Sequence, residues 1–325
     1  MTLTVERDIL MLRTGLERWL GRPVGEITRP APGWSCETVV VDGELVVRLP
    51  PAGEGIFESY DLAQQAAVQE AAGLAGVPVA TPFKYEPDES YLDTPFLTMP
   101  FVEGPIPGEL TSADPWLRSL TDDRARHAVW RGFVDTIVGI HSTPTGGLGL
   151  RAGLESELDF WDRYVAWATN RTPPPRLASA LAWCRANRPA AEPEGGLLWG
   201  DVRLDNVVFD PAALAPKAVL DWDMTSIGPI EMDLAWFLTL ERVQVDLTGM
   251  HVPGFGTHEE AVATVEEGIG RKLDDLDWYE VFALVRASAV STRIAVLFQR
   301  SGRKSMFTIG EDPTLVAAAT RIASL

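Results

Sequence analysis

Cysteine is almost missing from this sequence: Cys36 and Cys184 are the only two in 325 residues, far apart and in no metal-type spacing. Histidine is nearly as sparse, and His127, His141, His251 and His258 form no ligand pattern. Zinc and a disulfide framework are thereby set aside, and a reducing cytoplasm is the expected setting. Positive charge is short as well. The chain has 28 Lys and Arg against 46 Asp and Glu, a formal net charge of -18. Such a surface repels nucleic-acid phosphates and anionic lipid, so neither nucleic acid nor a membrane is an expected partner. Long apolar runs are lacking too. The first 20 residues carry charges throughout, unlike a signal peptide, and the apolar stretch 281–298 is broken by Arg286 and Arg293. That stretch reads as a buried or amphipathic helix.

What is present is ordinary globular material, 46% hydrophobic and 23% charged, enough for two lobes around a sizeable core. Helical spacing of Ile9, Leu12, Leu16, Trp19 and Leu20 predicts a helix over 5–20. Two β-rich runs, 38–41 and 45–49, flank Asp42-Gly43, a strong hairpin signal. An Ala- and Gln-rich helix over 58–75 follows, then short strands near 82–86 and 95–102. The run Glu103-Gly104-Pro105-Ile106-Pro107-Gly108 is the best linker candidate. Beyond it the pattern turns helical over 121–141, 157–169 and 176–188. Asp277 and Glu280 suggest a capping box opening a helix to about 299, with Asp274 and Asp275 completing a solvated acidic helix start.

The chemistry gathers at 197–223. Val207-Val208-Phe209 and Ala218-Val219-Leu220 read as two strands joined by a turn over 210–216. An antiparallel hairpin brings its open ends together, which sets Asn206 beside Asp221 with Asp201 on the loop just before. Two carboxylates and an amide at one rim suit phosphoryl transfer. Magnesium takes hard oxygen ligands such as Asp221 and the Asn206 amide oxygen. Asp201, free of metal, would orient an attacking hydroxyl and accept its proton.

The spacing of Asp201, Asn206 and Asp221 resembles the catalytic and metal loops of kinases. More narrowly, Trp199-Gly200-Asp201-Val202-Arg203-Leu204-Asp205-Asn206 looks like the His-Gly-Asp-x-x-x-x-Asn motif of the aminoglycoside phosphotransferase family, whose superfamily includes choline, homoserine and fructosamine kinases. Leu220-Asp221-Trp222-Asp223, Gly228-Pro229 and Asp233-Leu234-Ala235-Trp236 are similar to that family's metal loop and the helix after it. The nearest likeness is to bacterial members resembling the kinase-like domain fused to some acyl-CoA dehydrogenases.

The resemblance implies an α+β, bilobal, protein-kinase-like fold. Residues 1–103 would form a small antiparallel-sheet lobe with a helix, and 104–325 a larger, mainly helical lobe. It implies ATP or GTP as donor with Mg2+, and a small-molecule hydroxyl as acceptor. Gly33 and Ser35 fall at the family's nucleotide loop. Arg48 stands where a lysine usually meets the α- and β-phosphates, and keeps the charge. Gln65 aligns with that residue's acidic helix partner, with Asp61 one turn earlier. Met99, Phe101 and Val102 lie at the strand and hinge that pair with the adenine. Asp223 either joins Asn206 and Asp221 around the metal or orients their loop. Arg203 touches phosphate or substrate, or forms a salt bridge within its lobe. Trp199 replaces the motif's histidine, a brace that an indole N–H can also provide. Asp233 reads as a structural brace for the catalytic loop. Arg48 and Gln65 motivate a rival reading, a nucleotide-binding pseudokinase with a regulatory or scaffold role.

Overall fold

A computed structural model describes residues 6–30, 35–305 and 308–325. The first helix, α1 (Ile9–Leu20), starts at Asp8, whose side chain accepts from the backbone N–H groups of Leu10 and Met11. It packs on a five-stranded antiparallel sheet of β1 (Ile27–Thr28), β2 (Glu37–Val41), β3 (Leu45–Leu49), β4 (Lys84–Glu86) and β5 (Phe96–Pro100), ordered β1-β2-β3-β5-β4. The β2–β3 turn is the expected one: Asp42 and Gly43 both have positive φ, and Glu44 N–H closes on Val41 O at 3.0 Å. Alternation along the strands decides what faces where. Val39, Val41, Val47 and Leu49 pack against Leu12 and Leu16 of α1. Each such buried aliphatic side chain contributes about 1.5–3 kcal/mol. Val46 and Arg48 turn to the opposite face. There α2 (Leu62–Leu74) contributes Leu62 to a second cluster with Leu97, Met99, Val208 and Ala218. That cluster joins the sheet to the hairpin carrying the candidate site.

The remainder is mainly helical: α3 (Pro115–Ser119), α4 (Asp123–His141), α5 (Leu154–Ala168) and α6 (Pro175–Ala186), then α7 (Glu231–Thr248), α8 (His258–Ile269), α9 (Leu276–Arg300) and α10 (Pro313–Ser324). Between the two groups lie β6 (Gly196–Leu198), β7 (Val207–Asp210), β8 (Ala215–Val219) and β9 (Ser226–Gly228), with β6 pairing β9 and β7 pairing β8, both antiparallel. By length and composition α9 could cross a membrane, yet 83% of its most apolar window is buried among its own neighbours, as in a core helix.

The expected capping box on α9 does not form. Asp275 precedes the helix in a left-handed conformation with no side-chain cap. Nor is the acidic run wholly solvated: Glu280 is buried and pairs with Arg242 at 3.2 Å and Arg321 at 3.0 Å. Asp61 is likewise spent as the N-cap of α2, accepting from Gln64 N–H at 2.9 Å.

Candidate active site

The β7–β8 hairpin brings the predicted trio together. Asp210 shapes its turn by accepting from Ala212 and Ala213 N–H at 2.8 and 2.9 Å. At the other end, Leu220 N–H donates to Asn206 O at 2.8 Å, which sets Asn206 beside the residue preceding Asp221. The Asn206 amide nitrogen donates to Asp201 twice, to its backbone O at 3.1 Å and to its carboxylate Oδ2 at 2.9 Å. No described residue donates to the Asn206 amide oxygen.

The loop bearing Asp201 is clamped from below. Asp233, buried at the start of α7, accepts from Trp199 N–H at 2.7 Å and Gly200 N–H at 3.0 Å, the bracing role its sequence position suggests. Burial pushes its carboxyl up to about 6, against those two hydrogen bonds. Gly200 has φ 91° and leaves no room for a side chain: a Cβ would stand 2.4 Å from Met224 O. Trp199 braces this loop. Its indole N–H reaches both Leu220 O and Asp221 O at 2.9 Å and so ties the two loops together.

Asp221 carries positive φ, 56°, and its side chain is 36% exposed. Burial of the site and the adjacent Asp223 charge push its carboxyl well above the usual range, with Arg48 opposing and Asp201 adding to the rise. A divalent cation would offset both causes. With the unengaged Asn206 oxygen, this hard-oxygen set fits magnesium.

Asp223 is differently placed. It accepts from Ser35 Oγ at 2.5 Å, Arg48 Nη2 at 3.0 Å and the Gln65 amide. Burial works against its charge, but Arg48 and these hydrogen bonds hold its carboxyl below the usual range. Gln65 is thus directed at Asp223, not at Arg48, and the counter-charge of Arg48 comes from Asp223, with Asp221 3.8 Å away. Three residues expected at the nucleotide therefore converge on one carboxylate of the loop after β8. Gly33 lies outside the described residues.

Met99 is buried on β5, Val102 is half-buried, and Phe101 is exposed, its N–H donating to Glu44 O at 2.7 Å. The linker after them is stitched to the hairpin. Phe209 N–H donates to Pro105 O and Lys217 Nζ to Glu103 O, each at 2.9 Å. Arg203 forms the salt bridge: its Nε meets Asp205 Oδ1 at 2.9 Å, and Glu109 lies 3.9 Å away.

Two residues near Asp201 were noted in the sequence but given no role at the site. The Trp236 indole N–H donates to Asp201 Oδ1 at 3.0 Å, and Arg286 Nη2 donates to Gly200 O at 3.2 Å. Both had a signal. Trp236 follows Asp233 by three residues and so shares its helix face, and Arg286 interrupts an apolar run. A separate groove of about 600 Å³ between α7, α9 and α10 is lined by none of these site residues.

Comparison with known proteins bears on this arrangement. A family model described as the phosphotransferase enzyme family matches residues 26–263. Human acyl-CoA dehydrogenase family member 11 is 31% identical over 198 residues, 59% of this chain and 24% of that protein. The chain spans a quarter to a third of the length of the curated relatives it matches. A Ralstonia eutropha JMP134 protein, provisionally named an aminoglycoside phosphotransferase, is 20% identical, with 94% of this chain and 93% of that one covered and a TM-score of 0.66. The GDP and kanamycin complex of APH(2'')-IIIa is 14% identical over 98% of this chain and 99% of that one, with a TM-score of 0.60. At such identities the likeness establishes the fold, which is protein-kinase-like, as the resemblance implied.

Proposed function

Because this chain belongs to the phosphotransferase enzyme family, we propose that it moves the γ-phosphate of ATP or GTP, with magnesium, onto a hydroxyl of a small molecule. One observation carries the reading. Asn206 spends its amide nitrogen on Asp201 and keeps its oxygen clear, while Asp221 beside it bears a carboxylate that is a third exposed. Asp221 and Asn206 hold the metal, which supplies positive charge to the phosphates when bound. Asp201 orients the acceptor hydroxyl and takes its proton. Arg48 leans toward the phosphates from β3, and Asp223 anchors it there. Catalysis of this kind rests on alignment and charge.

The engagement of Arg48 by Asp223 favours a second reading, a pseudokinase that binds nucleotide without turning it over. A panel of hydroxyl compounds with ATP or GTP and magnesium separates the two. Phosphorylated product from the wild type, and its loss by at least about a hundredfold in Asp201→Asn, is the expected result. Nucleotide binding with no product across the panel favours the second reading. Near-normal turnover in Asp201→Asn removes that residue from its role.

A further inference from the structure

Asp201 is held from two sides. Its Oδ2 faces the hairpin through Asn206, and its Oδ1 faces α7 through the Trp236 indole. An ionised carboxylate has about four lone-pair sites, so two are committed to fixed donors and the rest point where those donors leave them. The Asn206 arm shares its residue with the metal site, whereas the Trp236 arm belongs to a buried helix.

Behind Trp236 stands a cation. Arg286 is 2% exposed, and its guanidinium lies 4.9 Å from the centre of the Trp236 ring and 5.4 Å from that of Trp161. Among the described residues its one hydrogen bond goes to Gly200 O, the residue before Asp201, and its Nε and Nη1 find no partner there. Burial works against its charge, which the nearby Glu157 and Asp233 carboxylates help to hold. From this position Arg286 grips the backbone beside Asp201 and the face of the tryptophan that grips the carboxylate.

We propose that Trp236, backed by Arg286, is a positioning residue that aims the Asp201 carboxylate at the acceptor hydroxyl. This rests on the role given to Asp201 above. A carboxylate fixed in advance loses no rotational freedom on meeting its acceptor, so the effect falls on turnover and not on nucleotide affinity.

Two measurements on the full chain test it. The first needs no turnover. In the 15N-indole spectrum, the Trp236 resonance is expected to move in Asp201→Asn, because its charged acceptor is gone. An unmoved resonance overturns the proposal. The second follows ATP hydrolysis with magnesium, water standing as acceptor. Trp236→Phe is expected to lower kcat about tenfold while the Kd for ATP stays within about twofold. In the Asp201→Asn background the same change is expected to cost nothing further. Equal losses in both backgrounds, or an unchanged kcat in the single variant, overturn it. A wild type that hydrolyses no ATP counts against the phosphotransfer reading alone, and the indole spectrum still decides the contact.

Discussion

Glu241 lies on α7 one turn beyond Phe237 and lines a cavity of about 20 Å³ with Val202, Arg203, Leu204 and Asp205 of the loop after Asp201. Burial alone pushes its carboxyl up to about 7. A raised acid favours the folded state while it is protonated. That share of stability is present below the ordinary carboxylate pKa of 4.5 and is lost as pH rises through 7. Glutamine mimics the neutral form at every pH. Glu241→Gln is therefore expected to be more stable than the wild type at pH 8 by about 1–3 kcal/mol, with the gap closing below pH 4.5. Urea denaturation at the two pH values checks it, and a gap that does not change with pH contradicts it.

At the scale of elements, the linker and the β7–β8 hairpin behave as one piece. Gly104 lies so close that a Cβ would stand 2.2 Å from Phe209 O and 2.7 Å from a Val208 methyl. The nearest obstacle is backbone, so an alanine forces linker or strand to shift. Gly104→Ala is expected to lose about 1–3 kcal/mol of stability, read from the urea midpoint, and an unchanged midpoint contradicts the close docking. The hairpin was legible in the sequence because its signals are local: two short apolar runs, Val207-Val208-Phe209 and Ala218-Val219-Leu220, an Asp-Pro turn, and polar residues at the open ends. The β2–β3 hairpin was legible for the same reason, through Asp42-Gly43. The start of α9 was misread by a rule equally local. Asp277 and Glu280 have capping-box spacing, but Arg242 and Arg321, each about 40 residues distant, claim Glu280 first. No local rule sees such partners.

Across the whole molecule, the sheet is joined to the site by contacts between residues remote in sequence. Ser35, Arg48 and Gln65 meet Asp223 across 188, 175 and 158 positions. The segment 51–60, between β3 and α2, reaches the opposite side: Arg293 donates to Gly55 O at 2.9 Å and Tyr164 to Ile56 O at 2.8 Å. Matching motifs could name Arg48 and Asp223 as site residues. It could not show that one holds the other, because that pairing exists only once the sheet lies over the hairpin. On the proposed reading, Asp221 and Asn206 would hold the nucleotide through the metal, while Asp201 would serve only the acceptor. Calorimetric titration of ATP into Asp221→Asn and Asp201→Asn, with and without magnesium, separates those duties. Asp221→Asn should lose the tightening that magnesium brings, by about tenfold or more, while Asp201→Asn keeps it within about twofold. Equal magnesium dependence in the two variants would contradict the division of labour at the centre of the site.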